Sequence, residues 1–204
     1  EPSRQPATLF KTLKDRRVTM LLLVPQALDL FMTGIEREVR RQGKERVWGW
    51  MMNAAPKLPV WARRWLFGSV HRQLGGRLRY IISGGAALDP TLGAKWENLG
   101  VPVLQGYGAT EASPVISSHT LGSATYDSAG HPLPGVEVRI ADDGEIQVRG
   151  PNVTLGYWEA PEQTAAVFEG DWYRTGDQGF LSPDGLLHIR GRTRDMIVLP
   201  SGLN

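Results

Sequence analysis

The sequence predicts an α/β fold in two parts: a parallel-sheet subdomain with flanking helices, followed by a small antiparallel β subdomain. Three observations carry this. Residues 79–104 read as strand, helix and strand, a unit whose two strands lie parallel. Beyond about residue 125, apolar and polar residues alternate between Asp-Gly turns, the pattern of hairpins with one buried face. The 204 residues are 41% apolar and 22% charged, the composition of an ordinary folded chain long enough to bury a core.

The elements follow in order. Residues 7–17 read as a short helix with Leu9, Phe10 and Leu13 on one side. Residues 18–24 form an apolar run of strand length that ends at Pro25. Leu28, Phe31, Met32, Ile35 and Val39 recur at helical spacing, and Glu36 and Arg40 stand one turn apart on the polar side. Residues 79–82 make a strand and Ser83-Gly84-Gly85 a turn. Asp89 is a good N-cap, Pro90 suits the first helical position, and Leu92, Trp96 and Leu99 continue to a terminating Gly100. Residues 101–104 are a second strand. Val136, Val138 and Ile140 alternate up to Asp143-Gly144, and Ile146 and Val148 alternate beyond it. A second hairpin turns at Ser182-Pro183-Asp184-Gly185.

Composition excludes several chemistries. Cysteine is absent, which removes disulfides, thiolate catalysis and cysteine metal sites. The four histidines have no HExxH-type spacing, and His119, His131 and His188 have no partner pattern. The longest strongly apolar run, residues 20–24, is too short to cross a bilayer, and the opening residues do not read as a secretory signal. The arginines lack aromatic interleaving on a sheet, and no helix-turn-helix or RNP pattern occurs, so no nucleic-acid partner is expected. The location expected is cytoplasmic.

A net charge of +2 conceals an asymmetry. Residues 1–80 hold 16 Lys and Arg against 6 Asp and Glu, and residues 81–204 hold 7 against 15. Four of the seven tryptophans, Trp48, Trp50, Trp61 and Trp65, lie in residues 46–70 among Arg46, Lys57, Arg63 and Arg64. That is the composition of a helix in a membrane interface, and peripheral membrane contact through this segment is one reading. The same composition suits a helix packed on its own domain, with arginine stems covering apolar surface.

Two glycine-rich turns fall at the carboxyl ends of the expected parallel strands: Ser83-Gly84-Gly85-Ala86-Ala87 and Gln105-Gly106-Tyr107-Gly108-Ala109-Thr110-Glu111. Ligands of open α/β sheets bind outside those strand ends. Tyr107 offers a stacking face, Thr110 a hydroxyl, and Glu111 a hard oxygen suited to Mg²⁺. The absence of GxxxxGK[ST] excludes a Walker-type phosphate loop.

Tyr107-Gly108-Ala109-Thr110-Glu111 resembles the YGxTE signature of adenylate-forming enzymes. Tyr173-Arg174-Thr175-Gly176-Asp177 is similar to their (Y/W)xTGD motif. Gly191-Arg192-Thr193-Arg194-Asp195 resembles their GRx(D/K/R)(D/E) hinge motif, and Ser201-Gly202-Leu203-Asn204 the SG-x-N after it. The motifs stand in the family's order, and the resemblance covers nearly the whole chain. The run from Leu74-Gly75-Gly76-Arg77 into Ser83-Gly84-Gly85-Ala86, with a basic Arg194 at the hinge, is most like the long-chain fatty acyl-CoA synthetase branch.

The resemblance implies an α/β fold that forms part of the large N-terminal domain of such an enzyme: residues 1–125 an α/β subdomain with nucleotide loops, 126–190 an antiparallel β subdomain, and 191–204 a hinge segment. It implies that Gly85, Ala86 and Ala87 line the adenine side and part of the acyl tunnel. Gln105, Gly106, Tyr107, Gly108 and Ala109 would hold adenine, Thr110 would contact a phosphate, and Glu111 would ligate Mg²⁺. Asp177 would bind the ribose hydroxyls, Arg192 the ribose or phosphate, and Arg194 would be the hinge. Taken alone, without the family resemblance, Asp177 reads rather as the cap of a turn. The co-substrates implied are ATP, a fatty acid and CoA, with Mg²⁺. The family's Ser/Thr/Gly-rich phosphate loop and its lysine-bearing C-terminal domain have no counterpart here. The expectation is therefore an internal piece of a long-chain fatty acid–CoA ligase that does not turn over by itself. Activation of another carboxylic acid, and a non-catalytic membrane-interface module, are the competing readings.

Overall fold

The structure, a computed structural model, describes residues 6–122 and 125–192, with side chains from residue 11 onward. It divides into two compact units, residues 1–104 and 105–204.

In the first unit, α1 (Pro6–Arg16) leads into β1 (Met20–Leu23) and α2 (Pro25–Arg41). Pro25 takes the first turn of α2, where a missing N–H costs nothing. The expected stripe is the buried face: Leu28, Phe31, Met32 and Ile35 are all at most 5% exposed. The Glu36–Arg40 pair does not form. Glu36 instead accepts from Lys95 Nζ at 2.7 Å, and Arg41 pairs with Glu38 at 2.7 Å. A partner on a packed neighbouring helix outcompetes a local one.

Residues 46–70 are several short helices: α3 (Glu45–Ala54), a 3₁₀ turn (Ala55–Lys57), α4 (Val60–Leu66) and α5 (Gly68–Gln73). Pro56 and Pro59 break the run. Trp48 packs edge-to-face on the fully buried Phe67, centroids 5.3 Å apart. Arg63 donates to the carbonyls of Leu58 (2.7 Å) and Glu97 (3.2 Å), and Arg64 to those of Leu78 (2.8 Å) and Gly100 (3.1 Å). These arginines tie helix ends to loops. Trp50, Trp61 and Trp65 stay 65%, 75% and 82% exposed.

β2 (Tyr80–Ser83) pairs parallel with β1, Met20 opposite Tyr80 and Leu23 opposite Ser83. α6 (Pro90–Asn98) begins as expected, with Leu92 N–H donating to Asp89 Oδ1 at 3.0 Å. Gly100 follows at φ +78°, where a Cβ would lie 2.7 Å from Arg64 Cγ, so only glycine serves this C-terminus. Trp96 and Leu99 are buried beneath it. The buried His71 ring meets the Leu99 carbonyl at 2.7 Å. Burial pushes its pKa down, so the ring stays neutral and pins α5 to the end of α6.

The boundary between the units falls within β3 (Val103–Tyr107). Residues 105–107, expected in a turn, extend this strand. They pair antiparallel with β4 (Ser117–Ser118), which pairs with β5 (His131–Pro132). A second antiparallel sheet has the order β10 (Leu187–Arg192), β9 (Trp172–Leu181), β7 (Glu145–Arg149), β6 (Glu137–Ile140). α7 (Pro161–Val167) and β8 (Phe168–Glu169) precede β9, and β8 pairs with it. Both expected hairpins form. Ile146, Val148 and Leu187 share a core with Ala112 and Ile116.

Simple alternation fails on β7. Glu145 and Gln147, on its polar side, are 5% and 1% exposed. β7 lies between β6 and β9, and the buried groups are satisfied there. Glu145 accepts from Arg174 Nε at 2.8 Å and Gly176 N–H at 2.9 Å, and Gln147 donates to Glu169 at 2.9 Å. No helix among the described residues is long and apolar enough to cross a membrane.

Candidate active site

The second unit brings together two segments 70 residues apart. β3 ends at Tyr107. Gly108 follows, where a Cβ would collide with the Pro114 carbonyl oxygen, so the chain passes too close for any side chain. A 3₁₀ turn (Thr110–Ala112) then closes on Ser113 in the left-handed region, φ +52°. The Tyr173–Asp177 segment lies inside β9. There Gly176, at φ +73°, accompanies a register shift against β7. A glycine and an aspartate look like a turn in sequence, but here they make an irregular strand.

The Tyr107 hydroxyl donates to Asp177 Oδ2 at 2.6 Å. Burial raises the phenol's pKa and the bond to Asp177 raises it further, so Tyr107 remains a donor across the physiological range. Asp177 is 8% exposed, and its Oδ1 meets Arg192 Nε at 3.2 Å. Its backbone N–H donates to Thr175 Oγ1 at 3.1 Å, and that hydroxyl donates to the Ile146 carbonyl at 2.8 Å. The Asp177 side chain is thus a member of a cross-strand network. A carboxylate has about four acceptor positions, and Tyr107 and Arg192 account for two of the polar contacts made to it.

Glu111 stands on the 3₁₀ turn, half-buried. The Tyr157 hydroxyl donates to its Oε1 at 2.7 Å, and this bond holds the Glu111 pKa below the usual carboxylate range, with Tyr173 adding a smaller lowering. Burial, with the nearby Glu111 charge second, raises the Tyr173 pKa. The result is an ionised carboxylate faced by protonated phenols. Among the described residues no three His, Cys, Asp or Glu side chains cluster to cage a metal. Mg²⁺, however, is commonly held by one or two carboxylates with substrate phosphates and waters completing its shell, and Glu111 fits that use.

The other expected site residues are placed as follows. Thr110 is exposed beside Glu111. Gln105 is buried and its amide donates to the Ser128 carbonyl at 2.7 Å, so its side chain serves the fold. Gly106 sits in the strand pair with Ser118, and Ala109 is extended and packs on the sheet core. Gly85, Ala86 and Ala87 belong to the first unit, exposed in the bend after β2. Arg194 lies outside the described residues. Sequence reasoning misses Tyr157 and gives Tyr173 no role. No spacing links Tyr157 to Glu111, because their contact spans 46 residues. His119 and His188 have structural partners, the Ser128 hydroxyl at 3.0 Å and the Asp127 carbonyl at 2.9 Å.

Known proteins are similar to this chain in sequence and fold. The profile of the AMP-binding enzyme family matches residues 1–158. The long-chain-fatty-acid–CoA ligase FadD15 of Mycobacterium bovis is 32% identical over 202 residues, covering 91% of this chain and 34% of the ligase. The benzoate–CoA ligase of Thauera aromatica is 36% identical over 133 residues, 59% of this chain and 25% of that ligase. The ATP-bound RpMatB-BxBclM chimera superposes with a TM-score of 0.70 at 26% identity, covering 100% of this chain and 36% of the chimera. The chain therefore spans about a third of the length of the long-chain ligase.

Proposed function

Because this chain belongs to the AMP-binding enzyme family, we propose that it forms part of the nucleotide site of an ATP-dependent fatty acid–CoA ligase. The single observation that carries this reading is the bond between the two motif segments, Tyr107 to Asp177, with Glu111 ionised on the adjoining turn. In this reading a fatty acid carboxylate attacks the α-phosphorus of ATP, pyrophosphate leaves, and the CoA thiol then displaces AMP from the acyl-adenylate. Asp177, fixed by Tyr107 and Arg192, accepts from the vicinal ribose hydroxyls. The backbone of residues 105–109 and the Tyr107 ring face adenine. The family resemblance assigns Gly85, Ala86 and Ala87 to adenine contact and to the acyl path. The Thr110 hydroxyl bonds a phosphate oxygen. Glu111 holds Mg²⁺, which supplies neutralisation of phosphate charge when bound. Arg194 serves as the hinge, with residues 1–125, 126–190 and 191–204 as α/β, β and hinge segments.

Similarity to a long-chain ligase over 91% of the chain favours a long-chain acid, and similarity to a benzoate ligase over 59% supports an aryl acid as the alternative. Pyrophosphate release by the full-length protein carrying this segment, with acids from acetate to palmitate and benzoate, tests the choice. Palmitate should win, and Glu111→Gln should lower the rate at least about 10²-fold. Preference for benzoate would reverse the substrate assignment. The 204-residue chain by itself should show no turnover.

A second reading concerns the exposed Trp61 and Trp65 of α4, at 75% and 82%. They support peripheral contact with an anionic membrane surface beside the fold. Flotation with anionic vesicles should fall with salt and be lost in Trp61→Ala/Trp65→Ala. Salt-independent flotation unchanged by the double variant would remove this reading.

A further inference from the structure

The segment between β7 and α7 crosses the turn that bears Glu111 and is fastened to it repeatedly. Asn152 Nδ2 donates to the carbonyls of Ala112 and Val115, each at 2.9 Å. Thr154 N–H donates to the Glu111 carbonyl at 2.7 Å. Tyr157 then donates its hydroxyl to the Glu111 carboxylate at 2.7 Å. Tyr157 is itself held from behind, because its N–H donates to Thr164 Oγ1 at 2.9 Å and that hydroxyl donates to the Ala160 carbonyl at the start of α7 at 2.9 Å. Bonds to backbone carbonyls thus fix the turn, and the Tyr157 phenol fastens the Glu111 side chain.

We propose that Tyr157 is the positioning residue for Glu111: its hydroxyl fastens Oε1 and so sets the side-chain conformation in which the carboxylate meets the divalent cation that accompanies the nucleotide. This rests on the reading of Glu111 as the cation's ligand. An unrestrained glutamate samples several rotamers, and cation binding must then select one of them. The strap removes that selection before the ligand arrives. Tyr157 is 37% exposed and holds the carboxylate through a single bond, so it tunes the site without holding the fold together. The groups facing Glu111 are Tyr157 from the strap and Tyr173 from β9, with Asp177 next to Tyr173.

The test uses the full-length protein carrying this segment, with Tyr157→Phe, Thr164→Val and Glu111→Gln. Carbon-13 NMR follows titration of the Glu111 carboxyl, and calorimetry measures ATP affinity with Mg²⁺ and with EDTA. In Tyr157→Phe the Glu111 pKa should rise toward the ordinary glutamate value. The Mg²⁺-dependent gain in ATP affinity should fall about three- to tenfold, with binding in EDTA and the melting temperature unchanged. Thr164→Val should give a smaller change in the same direction. An unshifted Glu111 titration, or an undiminished Mg²⁺ gain, in Tyr157→Phe overturns the positioning role. If Glu111→Gln keeps the full Mg²⁺ gain, the ligand reading of Glu111 fails instead. The two failures are thereby distinguished.

Discussion

Asp177→Ala should lose nucleotide binding and lower the stability of the second unit by about 2–3 kcal/mol. The larger part of the stability loss comes from Tyr107, whose buried hydroxyl would be left without its 2.6 Å acceptor. The smaller part comes from Arg192, whose 3.2 Å pair with Asp177 is screened by solvent because its side chain is 74% exposed. Asp177→Asn separates structure from binding. An amide oxygen still accepts from Tyr107, so the cost should stay below about 1 kcal/mol. The charge that strengthens hydrogen bonds from ribose hydroxyls is gone, so AMP affinity should still fall at least about tenfold. Urea unfolding and AMP titration of both variants check this. Equal AMP affinity in the Asp177→Asn variant and the parent chain would exclude a ribose role for the carboxylate.

Gly108→Ala should be as damaging without touching a polar group. The added methyl meets the Pro114 carbonyl oxygen and carbon and Val115 Cα, all backbone, so no side chain can turn aside to admit it. β3 and the 113–116 segment must separate, at a cost of about 3 kcal/mol or more. The same movement drags the 3₁₀ turn and Glu111 from Tyr157. Denaturant unfolding should show the loss, and the Glu111 titration should move up with it. Gly43→Ala makes the control, since a Cβ there meets nothing within 4 Å and only the φ of +65° opposes it, at about 1 kcal/mol.

Local features of this chain are legible in its sequence, and tertiary ones are not. The N-cap at Asp89, the stripe on α2 and the Asp143-Gly144 hairpin each depend on neighbours a few residues away. The pairing of Glu36 does not, because a carboxylate on an exposed helix face takes the nearest cation in space, and that is Lys95 on α6. Burial of Glu145 and Gln147 is hidden for a similar reason. Alternation assumes one wet face, and β7 has strands on both sides with polar side chains satisfied between them. In the site, motif resemblance singles out Tyr107, Glu111, Asp177 and Arg192, and three of them prove to be directly joined: Tyr107 and Arg192 both contact Asp177. Tyr157 carries no sequence signal at all. Its effect on Glu111 is a tertiary contact, visible only once β7, α7 and the turn are in place.

The fold also alters the meaning of the basic first half. Arg63 and Arg64 donate to backbone carbonyls at helix ends, so part of that positive charge is structural. The acidic second half contains Glu111 and Asp177, and there the carboxylates are organised by phenols.

If the Tyr107–Glu111 and Tyr173–Asp177 segments form one nucleotide site, a single ligand must perturb both at once. An AMP titration of the isotope-labelled chain, followed by amide NMR, reads this residue by residue. Saturable shifts should concentrate at residues 105–111 and 173–177 and vanish together in Asp177→Ala. Saturable shifts confined to other parts of the second unit, or none at millimolar AMP, would contradict a shared site.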